Sequence, residues 1–517
     1  MNRKKLSEIR RLWSRRHAMG GIASLGIGVG ACNSDASSDD GTTSDGTTST
    51  GADTTTTTTS GTSSSEGSSS SGLDESSSST GDTGPIMSDC EDAGSLTFEE
   101  LVAPIEHIIV VMMENRSFDH VFGALALEGR TVDGLTGSES NPNPAGGDVA
   151  VFALTDPDAV IFDPDHGWNG SRVQWNEGAN DGFVESYVDE GAPDPTLVMG
   201  YYERATLPVS YALADNYSLC DRWFASVMGP TWPNRFYLHL GTSGGMMTND
   251  GVSEIPSVFD ALTTAGITNV YYSSNVPFTL TYGKTEGVEQ ISAFYDALAD
   301  GTLPQFSMVD PVFTDFAADP STGTDDHPPA DVTMGQAFLA SVYAAVAASP
   351  LWNSTLLVIT YDEHGGFFDH VPPPTTTDDL PDFEQLGFRV PAIVIGPHVR
   401  RGCVNSNVFD HVSVLSTVTR KWGLEPLTTR VDATADLSSC IDPSFVDDPQ
   451  PPAPLPKMVV RRPKPYVVAP KGAAHDELFA LADRHGLGPD QRRIAAQQAV
   501  DAVLAWGRKL GAFEVID

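Results

Sequence analysis

Ile108 to Met113 is an unbroken apolar run of strand length, rich in β-branched residues, and it stops abruptly at Glu114, Asn115, Arg116 and Ser117. Continuous apolarity of this kind suits a parallel strand covered on both faces. Leu356 to Tyr361 repeats the build and runs out into Asp362-Glu363-His364-Gly365-Gly366. Shorter runs at Val270 to Ser273, Phe306 to Asp310 and Val390 to Gly396 read as further strands. Helical spacing predicts helices from Ser257 towards Val270, over Val332 to Ala348, over Ser413 to Trp422, and from Asp476 to about Leu510. Met199 to Arg222 carries the same spacing, with a break at Asp215-Asn216-Tyr217. Alternation of strand and helix predicts an α/β fold with a mainly parallel sheet flanked by helices.

In such sheets ligands bind outside the carboxyl ends of the strands. Glu114 and Asn115 end one apolar strand, and Asp362 and Glu363 end another. If the two strands lie together, four oxygen-bearing side chains meet, and hard divalent cations take such ligands. Calcium, magnesium or manganese are favoured over zinc by this oxygen set, with zinc open if a histidine joins.

Met228-Gly229-Pro230-Thr231-Trp232-Pro233 requires a turn and then a helix start, with Thr231 placed to cap it. A hydroxyl at a helix N-terminus beside a cation can ionise and attack phosphorus. Two loop histidines stand out, His166 in Asp163-Pro164-Asp165-His166-Gly167 and His327 in Asp325-Asp326-His327-Pro328. Each is suited to donating to a phosphoryl oxygen or protonating a leaving group.

The first 31 residues change the picture of where the protein works. A basic segment containing Arg15-Arg16 precedes a short small-residue apolar segment, as in a twin-arginine-type export signal. Val29-Gly30-Ala31-Cys32 resembles a lipobox, which makes Cys32 an acylated first residue and a lipid anchor to the membrane. Asn33 at the next position slightly favours delivery to the outer membrane or cell surface over a periplasmic or secreted form. Residues 33–88 collapse to Ser, Thr, Gly and Asp and read as a disordered tether. The formal net charge of −39 argues against nucleic acid as a partner. Once Cys32 is lipidated, Cys90, Cys220, Cys403 and Cys440 allow three pairings; proximity in the chain favours Cys403 with Cys440.

Ile105 to His120, Asp165 to Gly167, Gly229 to Arg235, Asp325 to Pro328 and Tyr361 to Pro374 occur in the order of the bacterial phosphoesterase family, which this chain resembles. That family contains phospholipases C and an acid phosphatase and is similar in fold to alkaline phosphatase. The resemblance implies a catalytic domain over about 96–443, followed by a proline-rich segment and helical extension over 444–517. It implies Glu114, Asn115, Asp362 and Glu363 as ligands of one divalent metal cation, and Thr231 as the nucleophile that forms a phosphothreonine. It implies His166 and His327 as partners of the phosphoryl oxygens and leaving group. His370 lies in a family motif without a role, and His364 reads as structural. The implied activity is hydrolysis of a phospholipid or other phosphoester, as a phospholipase C or alternatively an acid phosphatase. A non-catalytic binding lipoprotein is the remaining reading, and the complete set of site residues argues against it.

Overall fold

The computed structural model describes residues 88–89, 96–160, 162–314, 322–461 and 476–516. The expected export signal, the lipidated Cys32 and the tether up to residue 87 lie outside the described residues. Nine strands form the main sheet: β1 (Ser88–Asp89), β2 (His107–Met113), β3 (Ser218–Cys220), β4 (Asn269–Ser273), β5 (Val288–Gln290), β6 (Phe306–Val309), β7 (Thr355–Tyr361), β8 (Ala392–Ile395) and β9 (Cys403–Asn405). Their order across the sheet is β1-β9-β3-β8-β7-β2-β6-β4-β5.

Every neighbouring pair runs parallel except those made by β8, which opposes both β3 and β7. Its reversal has a local cause. The segment joining β7 to β8 contains no α-helix, only a short 3-10 turn at Pro381–Phe383, and a parallel return needs a crossover, usually helical. The mainly parallel α/β sheet expected from the apolar runs is present.

The centre of the sheet positions the site. β2 pairs with β7 in register from His107↔Thr355 to Met113↔Tyr361, so the two polar tails leave the sheet side by side. β6 pairs with the other edge of β2 and brings Asp310 to the same end. All of β7, and β2 beyond His107, is buried, as the unbroken apolar runs require.

Four helices matter below: α1 (Thr231–Leu240), α2 (Val332–Ala348), α3 (Val412–Lys421) and α4 (Pro489–Leu510). α2 is apolar almost all round and packs against α4, and a helix of that character must be covered on every side. Tyr295 stacks on Trp506 of α4, with ring centroids 5.7 Å apart and planes 18° from parallel. The last helical stretch is two helices, Asp476–Arg484 and α4, and the chain closes with Phe513–Ile516 pairing in parallel with Met458–Arg461. Among the described residues no helix is long and apolar enough to cross a membrane.

Three local expectations are corrected. The helical spacing of Met199 to Arg222 is realised only over Pro208–Asn216, and Ser218 to Cys220 is a sheet strand instead. Thr231 is the first residue of its helix rather than its cap. Pro230 takes the cap position in an extended conformation and has no side-chain group to cap with; the Trp232 amide donates to Asn249 Oδ1 at 2.8 Å instead. Cys403 does not pair with Cys440. Cys403 is disulfide-bonded, whereas Cys440 is a free buried thiol with its sulfur 4.0 Å from that of Cys220. Chain proximity misled because β9 and the turn at Leu437–Cys440 offer their cysteines to different neighbours.

Candidate active site

The polar tails of β2 and β7 are locked together by their own backbone. The Asp362 amide donates to the Met113 carbonyl at 3.1 Å, the Arg116 amide to the Glu363 carbonyl at 3.1 Å, and the Asn115 amide to Asp362 Oδ1 at 3.0 Å. Asn115 adopts a left-handed φ of +61°, a conformation that asparagine tolerates better than most residues. Gly365 closes over it at φ +65°, where a Cβ would stand 2.1 Å from the Asn115 carbonyl oxygen. That contact is why the Gly365 position accepts no side chain.

Each acid then spends one oxygen on the scaffold. Asp362 Oδ1 also accepts from the Glu363 amide at 2.8 Å, and Glu363 Oε2 accepts from the Gly365 amide at 2.8 Å. Asn115 Oδ1, Asp362 Oδ2, Glu363 Oε1 and the Thr231 hydroxyl are buried without a hydrogen-bond partner. Unpartnered buried oxygens are costly, and a cation is the species this donor set suits. Burial and the neighbouring Glu114 carboxylate raise Asp362 to about 6, and burial raises Glu363 well above the ordinary carboxylate range.

Glu114, the fourth predicted ligand, is buried with Arg235, whose guanidinium lies 3.0 Å from its Oε1 and 3.1 Å from Asp310 Oδ1. Arg235 also donates to the Met112 carbonyl at 3.3 Å. Sequence reasoning passed over Arg235 although it stands in the singled-out Gly229 to Arg235 stretch.

Arg235 explains how Thr231 is aimed. The two sit four apart on α1 and so share a helix face, which makes the face carrying the hydroxyl the one that meets the strand ends. The turn before Thr231 is clamped by Asn234: Nδ2 donates to the carbonyls of Val227, Gly229 and Pro230 at 3.2, 2.9 and 3.1 Å, while Oδ1 accepts from the Val227 amide at 2.9 Å.

The histidines arrive on loops. His166 donates from Nδ1 to the Pro164 carbonyl at 2.8 Å, and its Nε2 lies 3.3 Å from Asn115 Nδ2. Burial alone would lower its pKa, but the Glu363 and Asp163 carboxylates outweigh this and raise it to about 9. His327 donates from Nδ1 to the Pro328 carbonyl at 2.6 Å. Its ring stands perpendicular to that of His166, with centroids 5.8 Å apart. His364 lies behind the site, with Nε2 2.7 Å from Gln174 Oε1 and Nδ1 3.2 Å from Glu363 Oε2.

His370 belongs to a separate clasp. It bridges Asp119 Oδ2 at 2.6 Å and Asp133 Oδ1 at 3.1 Å, while buried Arg389 donates to Asp119 Oδ1 at 3.0 Å and Asp369 Oδ1 at 2.8 Å. The clasp fastens the loop after β2 to the loop after β7. Asp119, Asp369 and His370 form one of two groups whose ligand atoms are close enough to hold a metal ion; Asp163, His166 and His327 form the other.

A buried hydroxyl at a helix start, unpartnered oxygens at adjoining strand ends and two imidazoles held on loops are the kinds of group that hydrolysis of an anionic ester calls for. The chain belongs to the Phosphoesterase family, whose model matches residues 105–425. It is similar to non-specific phospholipase C1 of Arabidopsis thaliana, 34% identical over 377 residues, covering 65% of this chain and 70% of that protein. It is similar also to phospholipase C B of Mycobacterium tuberculosis (strain ATCC 25618 / H37Rv), 30% identical over 439 residues, covering 72% and 83%. These relatives place it among the phosphoric diester hydrolases. Among solved structures, the lipoteichoic acid synthase LtaP from Listeria monocytogenes aligns over 78% of this chain and 94% of its own, at 10% identity and a TM-score of 0.35. The phosphonate monoester hydrolase of Agrobacterium radiobacter aligns over 62% and 74%, at 11% and 0.31.

Proposed function

We propose that the protein is a phospholipase C that hydrolyses a glycerophospholipid to diacylglycerol and a phosphorylated headgroup, with Thr231 as the nucleophile. The observation that carries this reading is the set of buried oxygens of Asn115, Asp362, Glu363 and Thr231 that have no hydrogen-bond partner. Asn115, Asp362 and Glu363, with Glu114 beside them, hold one divalent cation, for which the oxygen donors favour calcium, magnesium or manganese. Bound there, the cation supplies positive charge to the phosphoryl oxygens and to the ionised threonine hydroxyl.

The chain's own groups do the rest. Arg235 and Asn234 hold the helix start. The Thr231 oxygen bonds to phosphorus as the P–O bond to diacylglycerol breaks, and that oxygen leaves with a proton. Water then cleaves the phosphothreonine to release the phosphorylated headgroup and restore the hydroxyl. His166 and His327 balance the charge on the phosphoryl oxygens and serve the leaving group. The twin-arginine-type leader and the lipobox at Cys32 support export and anchorage to the cell envelope, which brings the site to a lipid surface.

The experiment compares p-nitrophenylphosphorylcholine with p-nitrophenyl phosphate on the purified protein. The diester is expected to turn over faster. A clear preference for the monoester would replace the phospholipase reading with that of a phosphomonoesterase.

A further inference from the structure

We infer that Cys220 and Cys440 are the site of an oxidative cross-link, a second disulfide that staples the chain beyond the family-matched stretch to the main sheet. Their sulfurs lie 4.0 Å apart, and both thiols are buried. Cys403 is already bonded, so among the described residues these two are the thiols left to each other. Cys440 stands past residue 425, where the family model ends, and the bond therefore reaches outside the matched stretch.

Both partners are presented by elements that already have fixed places. Cys220 ends β3, which pairs with β9 so that Cys220 lies opposite Asn405. Cys440 ends the turn Leu437–Cys440. Asn405 spans the two: its Nδ2 donates to Ser439 Oγ at 2.9 Å and to Cys440 Sγ at 3.3 Å. The turn is tied down further. The Arg400 amide donates to the Cys440 carbonyl at 2.9 Å, Arg400 Nε to the Ser439 carbonyl at 2.9 Å, and the Leu437 amide to Thr417 Oγ1 of α3 at 2.9 Å. With both backbones pinned, rotation about the two Cα–Cβ bonds is what remains to join the sulfurs, which are about 2 Å short of bonding distance.

The surroundings choose which sulfur reacts first. The Cys220 thiol donates to Cys440 Sγ, with the Asn405 amide as a further donor, and these bonds lower the pKa of the Cys440 thiol while that of Cys220 is raised. A lowered pKa favours the thiolate, the form that attacks. The Cys440 thiolate displaces one sulfur of a small disulfide of the glutathione class, giving a mixed disulfide and a thiolate that leaves. Cys220 then gives up its proton and attacks Cys440 Sγ, releasing the second thiol. Two protein S–H bonds become one S–S bond and the donor disulfide becomes two thiols, so protons and electrons balance. Both sulfurs are out of solvent in the fold, so exchange takes place while the turn is lifted from β3.

The staple joins residues 220 positions apart, and a cross-link over so long a loop removes much of the freedom of the unfolded chain. It also fixes the end of β3, from which the chain runs on through Asp221 to the turn before Thr231.

The test is peptide mapping of the full-length protein, purified without reductant and equilibrated with oxidised glutathione. The protein is unfolded in iodoacetamide, digested and analysed by mass spectrometry. The Cys220 and Cys440 peptides are expected as one cross-linked species that added reductant splits, with alkylation lost from both. In Cys440→Ser, which keeps a small polar side chain, Cys220 is expected to become alkylated. Alkylation of both cysteines in most wild-type chains would overturn the inference. So would glutathione retained on either one, or either one joined to a different cysteine.

Discussion

Arg235 and Glu114 form an ion pair at 3.0 Å with neither side chain exposed to solvent. Asp310, on the far side of the guanidinium, is raised to about 7 by burial despite the arginine. Removing one partner of such a pair leaves an uncompensated charge in the interior. Arg235→Met should lower stability by about 3–5 kcal/mol, read as a shift in the urea unfolding midpoint. A loss below about 1 kcal/mol would mean that the acids discharge at little cost.

Thr231→Ala should abolish turnover, by roughly 10⁴-fold or more as for other nucleophile deletions in hydrolases, with an unchanged melting temperature. Thr231→Ser keeps a hydroxyl at the helix start and should retain a measurable fraction of the rate. Near wild-type activity in the alanine variant would place the nucleophile elsewhere.

Gly365→Ala tests the lock between the strand tails. The new Cβ would meet the Asn115 carbonyl at 2.1 Å from a left-handed backbone. Strain of about 1–3 kcal/mol is expected, together with weaker cation binding in titration calorimetry, because Asn115 must move. Unaltered affinity would separate Gly365 from the ligand geometry.

Chelation should also report on the site. A ligand that binds only the folded state stabilises it, by about 2.7 kcal/mol at a hundredfold excess over its dissociation constant. Exhaustive dialysis against a chelator should therefore lower the melting temperature and remove activity, and restored divalent cation should return both. Activity that survives in demonstrably metal-free protein would count against the cation's role.

The His370 clasp carries a pH signature. Burial would lower His370, but Asp119 and Asp133 outweigh it and raise the imidazole to about 10. A raised histidine stabilises fully below its unfolded value near 6.5 and loses that contribution as pH climbs through about 10. The hydrogen bond from His370 lowers Asp133 to about 2, so its contribution is present above about 3.8 and lost as pH falls through about 2. The difference in melting temperature between wild type and His370→Gln should be greatest between about pH 4 and 6.5 and shrink on both sides. A difference that stays flat from pH 5 to 10 would show that His370 is not charged in the fold.

What the sequence disclosed follows from where each constraint resides. β2 and β7 were readable because burial on both faces writes itself locally, as an apolar run broken by acids. Their adjacency was inferred from those acids, and the register of Met113 with Tyr361 bears it out. Arg235 was not readable as a buried ion: its partners Glu114 and Asp310 come from distant strands, and nothing near it announces burial. The same holds for the clasp, assembled from Asp119, Asp133, His370 and Arg389 on separate segments. Thr231 was misplaced by one residue because Pro230 in extended conformation holds the cap position while the side chain that accepts a first-turn amide, Asn249, comes from beyond the helix.

α4 completes the cover of α2. Trp506 covers Tyr295, and Gly507 gives way to the ring of Phe513, which a Cβ there would overlap at 2.1 Å. The apolar flank of α2 is therefore shielded by residues beyond 105–425, the stretch that the family model matches. A chain cut back to that stretch would leave the flank in water and prone to self-association.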